Sequence, residues 1–457
     1  MSIKAGGHYF QRVHDLSSSN SNLKTDTRLR SIADYYELPY KIYGSTGFSV
    51  AVVGAGTGND VAAALRSGAK HVDAIEIDPA ILELGKLYHP EQPYQHSRVR
   101  TVVTDARTFM RETDDQYDLI VYGLLDSHTL LSHASSVRLD SFVYTVEGLE
   151  EARRRLKPGG LMSLSFCVLT KEMGRKIYLM MKQAMGGKGP VCIQAGYDGS
   201  VIYLQRRDQD LTLDGDLLKK SGFRDITDET DDEHLRSDIS TDDWPFFYMP
   251  KRVFPISYLG ILGIILFLSV TVTYNFVHQG PTFGNWSFFF LGAGFMLVET
   301  KAITELGLAF GNTWHVIGIV ISCILLMAFL ANYAVRFFVL KSPVIWFVFL
   351  LSSLAIGFLS STHGGFGSSI SGKALSVMLL TCPIFFSGVV FSTLLREAKD
   401  ISSVMAINLI GAITGGILEY NSMYFGFGFL YLLAIALYLL AFSFFYVKRK
   451  LPQSAHV

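Results

Sequence analysis

The stretch FSVAVVGAGTGND, residues 48–60, decides how the first half of this chain is read. FSVAVVGAG (48–56) is a short apolar run entering a glycine turn, the signature of a buried strand. GNDVAAALRSGA (58–69) then reads as a helix. Glycines at Gly54, Gly56 and Gly58 let the backbone approach a ligand and turn sharply into that helix. The spacing is GxGxG, because Asn59 stands at the third position of the dinucleotide fingerprint, which lowers the case for NAD or FAD.

Working outward, the same alternation recurs to residue 207. HVDAIEID (71–78) is a second strand, and PAILELGKLYH (79–89) opens a helix with Pro at its start. VRTVVTD (99–105) is a third strand, followed by the short helix ARTFMRET. YDLIVYGLLD is the fourth. VEGLEEARRRLKPGG (146–160) reads as a helix ended by Pro-Gly-Gly, and LMSLSFCV (161–168) as a fifth strand. Continuous apolar strands separated by amphipathic helices imply a parallel sheet covered on both faces. The expected class is doubly wound, Rossmann-like α/β, with ligands in the crevice beyond the strands' carboxyl ends. There the second strand ends in Glu76-Ile77-Asp78, where an acid takes ribose hydroxyls, and the third in Asp105-Ala106, placed to meet an adenine edge. With Gly54, Gly56, Gly58 and Asp60, these residues point to an adenosyl nucleoside. The fourth strand delivers Asp126, Ser127 and His128 to the same crevice.

The 457 residues exceed one ordinary domain, and the charges are unevenly placed. Residues 1–252 hold 66 of the 80 Lys, Arg, Asp and Glu residues, and residues 253–447 only 11. A polar half therefore precedes a membrane half, and the zero net charge says nothing about partners. No basic patch interleaved with aromatics suggests nucleic acid. Cys167, Cys192, Cys323 and Cys382 show no CxxC spacing, against a disulfide framework or zinc. No apolar signal region opens the chain. His128 and His133 lack a third ligand at a recognisable spacing, so no metal is expected and 126–141 reads as a hydrogen-bonded, gate-like loop.

With these residues in view, positions 40–170 resemble the spermidine/spermine synthase (polyamine aminopropyltransferase) family, which shares its fold with S-adenosylmethionine (AdoMet) methyltransferases. The resemblance rests on VVGAGTGND, AIEIDP, TDAR and FVYTVEGLEEARRRLKPGG, with GGHYFQRV (6–13) similar to the family's N-terminal hairpin region. It implies decarboxylated AdoMet or AdoMet as co-substrate, a small amine or polyamine acceptor, and a second copy of the chain as a candidate partner. Two departures stand out. The synthases carry Asp where this chain has Thr57, and that Asp helps hold the donor's amine. They carry a further Asp, which helps deprotonate the attacking amine, where this chain has Gly123. Asp126 matches their second carboxylate. The resemblance thus makes Asp126 a catalytic candidate facing the acceptor, with His128 a substitute base and Asn59-Asp60 or Asp140 as compensating groups.

TDDWPFFYMPKRVFP (241–255) reads as an aromatic-rich junction suited to a membrane interface. Seven long apolar segments follow between 256 and 447, most reaching the roughly 20 residues that span a bilayer. Seven simple crossings from a cytoplasmic residue 252 would put Arg336/Lys341, Arg396/Lys399 and Lys448-Arg449-Lys450 outside, inverting the positive-inside rule. One early segment is therefore expected not to cross. The suspect is 288–311, with Glu299, Lys301 and Glu305 at its middle. It reads equally as a membrane helix with functional charges or as an interfacial amphipathic turn. Lys301 is spaced to pair with Glu305, or with the more distant Glu419. Its GFMLVE stretch is similar to one in membrane-fused relatives of the synthases. Gly411, Gly415 and Gly416 have the small-residue spacing of close helix packing.

The expected organisation is a hairpin-like region at 1–47, a synthase-like domain at 48–240, a linker at 241–255, six or seven transmembrane helices at 256–447 and a basic tail. The expected function is an aminopropyl or alkyl transferase held in an inner or plasma membrane, its polar half cytoplasmic. The alternatives are a membrane AdoMet-dependent methyltransferase and a transporter or sensor with a nucleoside-binding domain.

Overall fold

The structure is a computed structural model and describes residues 2–5, 8–125, 141–213, 215–254, 256–274, 285–311, 314–337, 342–362 and 370–450. The chain divides into two units, Met1–Lys251 and Arg252–Val457.

The first unit opens with an antiparallel hairpin, β1 (Ser2–Ala5) and β2 (His8–Arg12). Helix α1 (Thr27–Tyr43) follows; Asp26 caps it by accepting the N–H groups of Arg28 and Leu29, and Gly44 ends it at φ 79°. The alternation read from the sequence is then realised as β3 (Ser49–Val53), α2 (Asn59–Arg66), β4 (His71–Glu76), α3 (Pro79–Tyr88), β5 (Val99–Val103), α4 (Ala106–Glu112) and β6 (Tyr117–Tyr122). Next come α5 (Val146–Arg155), β7 (Leu156–Cys167), α6 (Lys171–Ala184), β8 (Val191–Gln194), β9 (Ser200–Arg206), α7 (Gly215–Ser221), β10 (Arg224–Asp225) and α8 (Thr227–Thr230). Eight strands form one sheet in the order β10-β8-β9-β7-β6-β3-β4-β5. Five are parallel, as expected, and every residue of β3 is buried.

Two readings need correction. The sheet is mixed, since β8, β9 and β10 add antiparallel strands beyond β7. The helix expected over 146–160 stops at Arg155, and Lys157-Pro158-Gly159-Gly160 begins β7. Pro158 disfavours a helical residue before it, and Gly159 adopts φ 73°. The segment read as an interfacial linker packs into the first unit through residue 249. Trp244 and Phe247 are fully buried. Lys176, itself fully buried, donates to the carbonyls of Phe246 (2.9 Å) and Met249 (2.7 Å) and lies 4.5 Å from the Trp244 ring.

The second unit is helical: α9 (Ile256–Tyr274), α10 (Trp286–Phe310), α11 (Trp314–Phe337), α12 (Pro343–Thr362), α13 (Ile370–Arg396), α14 (Ile401–Leu418), α15 (Ser422–Phe425) and α16 (Gly428–Lys450). Among the described residues six helices are long and apolar enough to cross a membrane, and α9 is the shorter apolar one. The suspect segment is thus a continuous helix, α10, rather than an interfacial turn. It packs against α11, α13, α14 and α16. Lys301 is buried and pairs with Glu305 at 2.8 Å, whose other oxygen accepts from the Tyr431 hydroxyl at 3.0 Å. Glu419 instead accepts from Thr300 at 3.2 Å. Gly411 and Gly415 of α14 lie against the α10 backbone; a Cβ on Gly411 would clash with the Phe289 carbonyl and one on Gly415 with that of Ala293, whereas Gly416 faces open space.

Candidate active site

Strand order reverses at β3, which pairs with β4 on one side and β6 on the other. In such sheets the crevice beyond the carboxyl ends at this point receives ligands. The turn after β3 and the end of β6 meet there: the Gly123 N–H donates to the Val53 carbonyl at 3.0 Å.

Gly54, Gly56 and Gly58 adopt φ values of 71°, 56° and 109°, which L side chains rarely adopt. The turn is packed from above as well. A Cβ on Gly54 would sit 1.7 Å from Leu125 Cδ2. Gly54→Ala is therefore expected to destabilise the unit by about 2 kcal/mol, clash and left-handed strain together. Adding Leu125→Ala should recover only the clash, leaving about 1 kcal/mol of strain in a thermal unfolding measurement.

Glu76 ends β4 almost fully buried and is tied to this turn. Its Oε2 accepts the Gly56 N–H at 2.8 Å and its Oε1 the Asp78 N–H at 3.0 Å. Burial raises its pKa, and these backbone donors oppose the shift. A carboxylate has about four acceptor sites, so these backbone donors leave acceptor capacity for a ligand hydroxyl. Asp78 caps α3 by accepting the Ala80 N–H at 2.8 Å. Asp105 caps α4 through Oδ1, which accepts from the Thr108 N–H (2.9 Å) and hydroxyl (3.1 Å). Ala106 begins α4 beside it. Asp60, in the first turn of α2, is buried with its carboxylate against Gly123. Gly54, Gly56, Gly58, Asp60, Glu76, Asp78, Asp105 and Ala106 thus converge on the ends of β3, β4 and β5. Asp126 and His128, with His133 and Asp140, lie outside the described residues.

Several site residues were missed by sequence reading. Gln11 of β2 accepts from the Thr57 N–H (2.9 Å) and hydroxyl (2.7 Å), so the Thr57 side chain is committed to the hairpin. The Tyr94 hydroxyl donates to the carbonyls of Ala55 (3.1 Å) and Gly56 (2.7 Å), locking the turn from below. Gly85 lets α3 approach, since a Cβ there would lie 2.6 Å from the Thr57 carbonyl. Asn59, named from the sequence as a compensating group, instead joins three elements: its Nδ2 donates to the Arg12 carbonyl and the Tyr36 hydroxyl, and its Oδ1 accepts the His14 N–H. Of the missed residues only Gly85, a glycine seven residues into α3, left a sequence signal. Among the described residues no group of three or more His, Cys, Asp or Glu is placed to hold a metal ion.

Comparison with known proteins meets this geometry at the same residues. Residues 44–193 match the spermine/spermidine synthase domain family. A polyamine aminopropyltransferase of Korarchaeum cryptofilum is 27% identical over 116 residues, 25% of this chain and 33% of that protein. Polyamine aminopropyltransferase 1 of Streptomyces coelicolor is 29% identical over 147 residues, 30% and 26% of the two chains. A probable spermidine synthase structure from Corynebacterium glutamicum aligns at 15% identity and a TM-score of 0.36, covering 48% of this chain and 77% of that one. The chain spans about a third or less of the length of the two curated relatives. The α/β unit, from the turn before β3 to β8, therefore carries a domain of the spermine/spermidine synthase family.

Proposed function

We propose that this chain is a spermidine synthase-like transferase, held in a bilayer by its second unit, that binds decarboxylated AdoMet and transfers its aminopropyl group to an amine acceptor. The observation that carries the reading is the convergence of the glycine turn, Glu76 and Asp105 at three successive strand ends of a synthase-family domain. In this reading Glu76 takes the ribose hydroxyls, Asp105 and Ala106 border the adenine, and the open backbone at Gly54–Gly58 admits the sulfonium chain. In this reading six crossings, with α9 not counted, bring Arg336, Arg396 and Lys448-Arg449 to one side of the membrane. The positive-inside rule makes that side cytoplasmic.

The test is mass spectrometry of the nucleoside product. Detergent-purified full chain is given decarboxylated AdoMet with putrescine and, separately, AdoMet with a membrane extract. Methylthioadenosine is the expected product. S-adenosylhomocysteine in the second reaction alone would make the protein a methyltransferase, a reading that Gly123 and the committed Thr57 favour.

A further inference from the structure

Helix α2 brings to the crevice a carboxylate that no other side chain uses. Asp60 is 9% exposed, and among the described residues it receives neither an ion pair nor a side-chain hydrogen bond; only its own N–H approaches it. Its Oδ2 lies 3.1 Å from the point where Gly123 would carry a Cβ. It therefore fills the space at the carboxyl ends of β3 and β6 that a side chain at position 123 would occupy.

Four phenols lie near enough to feel the Asp60 charge: Tyr35, Tyr36 and Tyr40 from α1, and Tyr94 from the segment before β5. All four are buried. The Tyr40 hydroxyl donates to the Asp60 carbonyl at 3.4 Å, holding the first turn of α2 in place. Burial raises the Asp60 pKa to about 7. A desolvated carboxylate is costly when unpaired. Among the described residues no Lys, Arg or His pairs with Asp60, so the chemistry its carboxylate fits is a ligand ammonium.

We propose that Asp60 is the catalytic carboxylate that receives the primary ammonium of the acceptor and takes its proton, acting from α2 in place of a side chain on β6. The proposal rests on the transferase reading above. The ammonium gives one proton to Asp60 and becomes the neutral nucleophile. Its nitrogen then forms the N–C bond as the C–S bond of the sulfonium donor breaks, and the electron pair stays on sulfur. The donor leaves as a neutral thioether and the product as a secondary ammonium, and Asp60 releases its proton to water.

Asp60→Asn in the full detergent-purified chain tests this. Titration calorimetry should show methylthioadenosine binding within about threefold of the unaltered protein. Putrescine added to the methylthioadenosine complex should bind at least about tenfold more weakly, and kcat should fall at least about 10²-fold. In the unaltered protein kcat should rise with pH through about 7, since the carboxylate works ionised; the variant should lack that limb. Folding is checked by melting. A carboxyl raised in the native state contributes stability below its unfolded pKa and loses it as pH rises through about 7, so Asp60→Asn should melt above the unaltered protein at pH 8. Methylthioadenosine release unchanged by Asp60→Asn would overturn the proposal and leave the transferase reading standing. No turnover in either protein, with putrescine affinity lost only in the variant, would retain the amine site and sink the transferase reading. Putrescine affinity alike in both, or absent from both, without turnover, would overturn the two together.

Discussion

Glu76→Gln is expected to weaken methylthioadenosine binding by about 10²-fold with little change in overall fold. Both Glu76 oxygens already accept a backbone N–H, from Gly56 and from Asp78. An amide can satisfy one of these with its carbonyl oxygen, but its NH2 then faces the other donor. The remaining lone pairs of the carboxylate, offered to the ribose, are reduced at the same time. Losing a hydrogen bond to a charged acceptor costs about 1.5–3 kcal/mol, which corresponds to one to two powers of ten in Kd, and the displaced turn adds to it. Titration calorimetry on the full chain reads this directly. Affinity within threefold of the unaltered protein would mean that Glu76 holds the turn and does not face the nucleoside.

Arg107→Met should have the largest effect on stability. Arg107 is 4% exposed and its guanidinium joins three parts of the unit. It donates to Glu151 of α5 at 3.1 Å, to the Thr145 hydroxyl at 3.1 Å and to both carboxylate oxygens of Asp242. Thr145 caps α5 through the Gly148 N–H at 3.1 Å and itself donates to Asp242 at 2.9 Å. Methionine keeps the packing but leaves Asp242 without its cation and Glu151 with Arg111 alone, at 3.3 Å. Removing one partner of a buried pair costs about 3–5 kcal/mol; the partial exposure of Glu151 and Asp242 places this case near the lower figure. The melting midpoint should fall by several degrees, and limited proteolysis should cut the 241–250 segment first. Arg107→Lys, which keeps the charge but not the fork of donors, should recover part of the loss.

The sheet was legible because its parallel strands are buried on both faces and so read as unbroken apolar runs. The antiparallel strands were not. β8 and β10 have only four and two residues, too short for periodicity to register. The aromatic segment at 241–250 misled for a related reason. Trp244 and Phe247 suit a membrane interface and a protein core equally, and only the Lys176, Thr145 and Arg107 contacts tell which was chosen. In the second unit, Lys301 and Glu305 could be spaced as a pair because i, i+4 is local. Glu419, far along the chain, was the alternative partner for Lys301 and is bonded to Thr300.

By itself the sequence determined the two-part organisation and the doubly wound class, and it named the glycine turn, Glu76 and Asp105 at the strand ends. Composition, strand period and glycine turns are local quantities, and each is written in a few consecutive residues. Only the tertiary structure decided what lies against Gly123, and what Thr57 does. Those answers depend on α1, α2, β2 and β6 meeting at one point, where Asp60 comes to lie against Gly123 and Gln11 against Thr57. No spacing along the chain encodes that meeting, because it is set by how each helix packs on the sheet.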